Sequence, residues 1–301
     1  MTKRLRDSVL IQWRWLFCLL AWWLLVNCAL VSSAQAEAYP LQADDQRQLT
    51  IRLAGGEQRL SVAEIIATVP AAIIDIDDTV YHGQRRYWAV DLLALFNALG
   101  LSAASLAGED ELSFVCLDGY TVTARSDLLL SKQVRAYLVL ASAEGTEADR
   151  IDGRWLPYQY GEQVIGFDPF YVVWQSAAGA APADSHDYPW PYQLRAIELA
   201  VASEVASFRP SAAQPQAEAG FQLFNHYCLR CHAVDSIGGG MGPDLAAATS
   251  AAAHFPDELL LSVIRSAPQF YPQTKMPNYA SVLDEQQLQG LVAFIRYLQA
   301  R

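Results

Sequence analysis

The sequence predicts two folded units behind an N-terminal export segment: an α+β domain with a mainly antiparallel sheet, then a small all-α domain. Three observations carry that reading. Residues 15–31 are apolar apart from Asn27 and follow Lys3, Arg4, Arg6 and Arg14. Residues 41–174 mix short alternating segments with helically spaced ones, and residues 284–299 place Leu288, Leu291, Val292, Ile295 and Leu298 on one helical stripe. The chain's 301 residues suffice for two cores, and its 52% hydrophobic content excludes a disordered tail or a fibrous repeat.

The first element reads as a secretory signal covering residues 1–36. A basic stretch, an apolar stretch and Ala34-Gln35-Ala36 lead to a cut before Glu37. An uncleaved membrane anchor is the alternative, because an apolar run of seventeen residues approaches the ~18 of a span. Cys28 is not read as a lipidated cysteine, since Leu25, Val26 and Asn27 lack the small residue expected just before it. The expected location is periplasmic, or membrane-anchored facing the periplasm if the segment stays.

Four basic residues and one acidic residue precede Glu37, so the remaining chain carries 17 basic against 31 acidic side chains. That balance excludes nucleic acid as a partner, whose phosphates require a basic face. Cys18 and Cys28 leave with the signal. Cys116, Cys228 and Cys231 remain, too few for a disulfide framework.

The α+β domain is placed at residues 37–205. Residues 49–53 alternate apolar and polar, Gly55-Gly56 supplies a turn, and residues 59–62 return as the second strand of a hairpin. Ser61 caps a short helix through Ile66, and residues 91–99 carry helically spaced apolar side chains that stop at Gly100. Residues 111–116 and 120–124 flank Asp118-Gly119, a tight-hairpin dipeptide. Residues 170–174 form an apolar strand, residues 175–189 a loop, and residues 190–202 a final strand. Pro210 and Pro215 mark a linker at 206–219, and the second domain occupies 220–301.

In that second domain, Cys228-Leu229-Arg230-Cys231-His232 is the attachment pentapeptide of a covalent haem c. Two thiols three positions apart can add to the two vinyl groups on one haem edge, and the adjoining imidazole then lies beneath the iron. A zinc site would need further ligands, yet no cysteine follows Cys231 and His254 is the only later histidine. A thioredoxin-like dithiol would want a strand before its first cysteine, whereas residues 221–226 look helical.

Around this motif, residues 220–301 resemble the class I cytochrome c domain over their whole length. Gly220 and Phe224 resemble the glycine and aromatic residue by which the family's first helix crosses its last, and Phe294 and Tyr297 suit that meeting. Gly242-Pro243-Asp244-Leu245 resembles the loop whose proline carbonyl accepts a hydrogen bond from the proximal histidine. Thr274-Lys275-Met276-Pro277 resembles the segment that supplies the distal methionine. The resemblance implies His232 and Met276 as axial ligands, with Pro243 setting the imidazole tautomer. Met241 stands just before Pro243, on the proximal side, and is read as a loop residue. His226 and His254 are read as surface and loop residues, and Arg265 and Tyr279 as candidate partners of a haem propionate. Two filled axial positions suit electron transfer and not catalysis at the iron.

Tyr81-His82-Gly83, the Leu92-Leu93 helix and Asp118-Gly119-Tyr120, in that order, resemble the sulfite-oxidase-type molybdopterin-binding domain. That family's metal-ligating cysteine should precede the Leu-Leu helix, and no cysteine lies between Glu37 and Val90. The resemblance therefore implies the fold without its cofactor, and Cys116 is read as a small buried hydrophobe.

Residues 37–219 carry 12 basic and 25 acidic side chains, against 5 and 6 in residues 220–301. An acidic surface that includes Asp75, Asp77 and Asp78 is expected to steer a basic redox partner, with a merely soluble exported surface as the alternative. The leading reading is a periplasmic monohaem electron carrier with no catalytic residue of its own. Its first domain would dock redox partner proteins such as a periplasmic dehydrogenase or a terminal oxidase chain. Two alternatives stand beside it. The first domain is an enzyme with His82, Asp118 and Tyr120 as site groups and the haem as electron outlet, or it is a binding module whose occupancy the haem reports.

Overall fold

The computed structural model describes residues 38–53, 56–101, 111–177, 179–182, 187–200 and 202–301. The expected signal at 1–36 lies outside the described residues. Tyr39–Arg301 form one compact unit, in which a sheet part precedes a helical part.

In the sheet part, β1 (Gln48–Leu53) and β2 (Gly56–Ser61) make the expected hairpin. Ser61 then caps α1 (Val62–Thr68) through a capping box with Glu64, and Asp91 caps α2 (Leu92–Ala98) by accepting from Ala94 N. The remaining strands are β3 (Ala72–Asp78), β4 (Gly83–Asp91), β5 (Glu111–Cys116), β6 (Thr121–Arg125), β7 (Val134–Ser142), β8 (Tyr158–Tyr160), β9 (Gln163–Ile165), β10 (Phe170–Ser176) and β11 (Tyr192–Ala200). Nine of them form one sheet in the order β2-β1-β11-β10-β7-β4-β3, with β5 also on β11 and β6 on β5. Its pairs are antiparallel except β1 with β11, where Thr50 lies opposite Ala196.

The pleat sorts this part into two cores. Phe170, Val172 and Trp174 of β10 and Leu138 and Leu140 of β7 face one side, with α1 and α2 above them. Tyr171, Val173 and Val139 face the other, among Tyr87, Trp155 and Phe167. β10 and the second half of β7 are thus buried on both faces. Such strands show no alternation, which is why β4 and β7 are not announced by a polar–apolar pattern.

One expected surface group belongs to the second core. Asp78 is 1% exposed, accepting from the hydroxyl of Tyr87 at 2.8 Å, the hydroxyl of Tyr171 at 3.1 Å and the backbone N–H groups of Val80 and Tyr81. It is therefore not part of an acidic face. Asp75 and Asp77 are exposed, and Asp75 pairs with Arg86. Cys116 is buried as expected, at 2% exposure.

The helical part holds α3 (Ala202–Ala206), α4 (Pro215–Leu223), α5 (Ala251–His254), α6 (Asp257–Arg265) and α7 (Glu285–Gln299), and, against the all-α expectation, a two-residue antiparallel pair of Ala233–Val234 with Ile237–Gly238. α4 starts inside the stretch expected to be a linker, because Pro215 occupies the first helical turn, where its missing N–H costs nothing. Phe208 of the same stretch is fully buried beside Phe221, with ring centroids 6.0 Å apart. The segment is core and helix more than free connector. α7 opens on a capping box between Asp284 and Gln287 and crosses α4 at Gly220. A Cβ at Gly220 would meet the Gly290 carbonyl and lie 2.9 Å from Phe294 Cβ, so only glycine permits the crossing. Phe294 packs its ring against Phe224 at 5.1 Å and Phe221 at 5.6 Å.

Candidate functional site

α4 leads directly into a wider π turn, Phe224–Cys228, which closes as Leu229 N donates to Phe224 O. The chain then tightens. Cys231 N and His232 N both donate to Cys228 O, at 3.0 and 2.9 Å, so the two thiols and the imidazole leave the same turn together. Gly242 N donates to Cys231 O at 2.7 Å and brings the following proline across. His232 Nδ1 lies 2.9 Å from Pro243 O, which makes Nδ1 the protonated nitrogen and leaves the Nε2 lone pair free to bind a metal. Burial pushes the His232 pKa down, with the Pro243 hydrogen bond opposing it, so the ring is neutral.

Gly242 is the close neighbour of that ring. A Cβ there would lie 2.5 Å from Cε1 and 2.6 Å from Nδ1 of His232, so any side chain would displace the imidazole. The attacking cysteine of a dithiol oxidoreductase has a depressed pKa, and here the shift runs the other way. Burial raises Cys228 to about 12 and pushes Cys231 upward as well.

These groups open onto a cavity of about 870 Å³. Cys228, Cys231, His232 and Pro243 line it, as do Met241 and Met276. Leu260, Ile264, Leu291 and Ile295 give it an apolar back. The volume falls within the ~300–1,000 Å³ of cofactor pockets. Two thiols, a neutral imidazole with its Nε2 free, a glycine cradle and a thioether suit a covalently held haem.

Residues 215–295 match the family model of cytochrome c oxidase, cbb3-type, subunit III. This part is a cytochrome c domain, which carries covalently bound haem c and serves electron transfer with redox partners. The match begins at the first residue of α4 and ends within α7, so the crossing of these two helices lies inside it. No curated protein matches the chain.

Other expected site residues are distributed differently. His226 and His254 do not line the cytochrome domain's cavity; His226 packs on the Tyr227 ring, and His254 is exposed at the end of α5. Arg265 is likewise not among the lining residues and pairs instead with Glu285. Tyr279 does line it, with its hydroxyl donating to Tyr227 O at 3.3 Å. His82, Asp118 and Tyr120 do not converge: Asp118 and Tyr120 line the haem cavity, whereas His82 is exposed in the β3–β4 turn.

The sheet part supplies a wall that sequence reasoning missed. Tyr160, Gln163 and Ile165 of the β8–β9 hairpin, together with Tyr192 and Gln193 at the start of β11, line the same cavity as the two thiols. No local motif announces them. Their one sequence-independent mark is Gln193, held at φ +55° while its carbonyl accepts from Leu117 N at 2.9 Å. Among the described residues no group of His, Cys, Asp and Glu could hold a separate metal ion, and no helix is long and apolar enough to cross a membrane.

Proposed function

We propose that the chain is a periplasmic c-type cytochrome that passes single electrons through a haem ligated by His232 and Met276, with the sheet part as the docking platform for its redox partners. The observation that carries this reading is the shared cavity, which has Cys228, Cys231 and His232 with Met276 among its lining residues. Met241 lies next to Gly242, whose backbone touches the His232 ring, and so belongs to the proximal side. Met276 comes from the separate segment between α6 and α7. When bound, haem supplies a one-electron couple. His232 holds its proton on Nδ1 toward Pro243, and the apolar back of the cavity excludes water. The docking role draws support from the sheet residues at the cavity and from the acid excess of residues 37–219.

The molybdopterin-type resemblance remains part of this proposal as a fold without its metal. Its three segments fall in the β3–β4 turn, α2 and the β5–β6 turn, and its missing cysteine is consistent with the absence of molybdenum that metal analysis should find.

Spectroscopy and metal analysis of the haem-loaded protein test the reading. The expected result is one haem per chain, a methionine-to-iron charge-transfer band in the ferric state and no molybdenum. Met276→Ala should give high-spin ferric iron and a lower midpoint potential, while His226→Ala and His254→Ala leave both unchanged. High-spin iron in the wild type would refute Met276 ligation. Recovery of the protein in the cytoplasmic fraction would refute the location.

A further inference from the structure

We infer that the β5–β6 turn is a clamp that keeps Met276 at its post; Asp118 and Gly119 are positioning residues for a haem to which they contribute no ligand. The inference rests on the Met276 reading above. Three contacts leave this one turn, and each reaches a different segment of the cytochrome domain. Thr121 N donates to Arg230 O at 2.8 Å, between the two thiols. Gly119 O accepts from Gly240 N at 2.8 Å, in the glycine run that continues to the His232 ring. The Asp118 carboxylate lies 3.6 Å from Lys275 Nζ, on the residue directly before Met276. Proximal loop, attachment loop and distal segment are thus tied to one turn of the sheet part.

The approach is too close to be incidental. Gly119 sits at φ +88°, and a Cβ there would lie 2.8 Å from Gly240 C and 2.9 Å from Met241 N. Both are backbone atoms, which cannot swing aside as a side chain could. On the far side, the Met276 segment has little of its own to hold it. Residues 271–273, 275, 277 and 278 are exposed, and the bonds that hold Met276 locally are Met276 N donating to Thr274 Oγ1 at 3.1 Å and Thr274 N donating to Tyr271 O at 3.0 Å, with the next tie at the Ser266–Asn278 bridge. A segment with few buried contacts opens at low cost, so an external tie changes its closed fraction. Any ligand that competes with the thioether reports that fraction directly, because its apparent affinity scales with the open population.

The test uses the full haem-loaded chain and imidazole as the competing ligand. Gly119→Val should raise the affinity of the ferric protein for imidazole about tenfold or more, as expected for losing a backbone hydrogen bond and its docking. It should also weaken the charge-transfer band. Asp118→Asn and Lys275→Ala should each raise that affinity about threefold, and the double variant no more than either alone, since an exposed ion pair is weak. Gly100→Val is the control: Gly100 has φ +89° with nothing within 4 Å of a Cβ, so it carries backbone strain without the contact. If Gly119→Val yields no haem-loaded protein, the Asp118 and Lys275 pair of variants decides. Unchanged imidazole affinity and band in folded variants, with the band present in the wild type, would overturn the clamp alone. A wild type without the band would overturn Met276 ligation and the clamp with it.

Discussion

The cavity lined by Cys228, Cys231 and His232 has two walls built on different principles. On the helical side, the thiols, the imidazole and the proline that orients it lie within sixteen positions, from Cys228 to Pro243, and are bound to one another by short-range hydrogen bonds. On the sheet side, Asp118 comes from the β5–β6 turn, Tyr192 from the start of β11 and Tyr160 from the end of β8, whose ladder is with β9 and not with the nine-stranded sheet. The first wall carries its geometry in local backbone bonds. The second inherits its geometry from the nine-stranded sheet and from the separate β8–β9 hairpin, so damage in the sheet's core should reach Asp118 and Tyr192 first, while the first wall depends chiefly on the α4–α7 crossing.

The largest break should come at that crossing. Gly220→Val forces a side chain into the Gly290 backbone, and overpacking of this kind should cost about 3 kcal/mol or more. Urea unfolding followed by haem absorbance measures it, and the sheet wall's own tryptophan signal should be less affected. Equal loss in both signals would mean that the two walls unfold as one.

A smaller and pH-dependent effect should arise in the sheet. Burial raises the Asp78 pKa above its usual value, against the hydrogen bonds from Tyr81 N and Tyr87 that lower it. A carboxyl with a raised folded-state pKa stabilises the fold below its unfolded pKa, and this contribution is lost as pH rises through the folded pKa. The wild type should therefore lose stability relative to Asp78→Asn on going upward from about pH 4. Urea midpoints of both proteins across that range measure the difference, which should stay within about 1–3 kcal/mol. A constant difference at all pH values would remove Asp78 titration from the account.

The smallest effect concerns partners. Exposed charges such as Asp77 are screened as the Debye length falls from about 30 to about 8 Å between 0.01 and 0.15 M salt. Reduction by a basic redox partner should slow about threefold over that range, measured by stopped flow. A rate independent of salt would exclude steering by the sheet part.

How much of this was legible in the sequence follows the same division. That Cys228, Cys231 and His232 stand on one turn was readable because they lie within five positions of each other. Gly220, Phe224 and Phe294 were readable because a helix crossing needs a small residue and rings at fixed spacing. The caps at Ser61, Asp91 and Asp284 and the turn at Asp118-Gly119 were readable for the same local reason. Asp78 was misread as surface because a strand's sequence does not say which distant hydroxyls will cover it; Tyr87 and Tyr171 come from β4 and β10. The segment around Phe208 was misread as linker because Pro215 starts a helix as readily as it interrupts one. Tyr160, Tyr192 and Gln193 had no pattern to betray them, since their meeting with the haem motif is wholly tertiary.

The parallel pairing of β1 with β11 also orders events in time. Arg52 and Glu198 lie side by side although 146 positions separate them. β1 finds β2 at once, but its parallel neighbour β11 lies 146 positions further along, and closing so long a loop is slow. The attachment motif needs only its own short turn. All the sheet strands are made before Cys228, so what holds back the wall opposite Cys228 and Cys231 is the closing of the β1–β11 loop and not the order of synthesis.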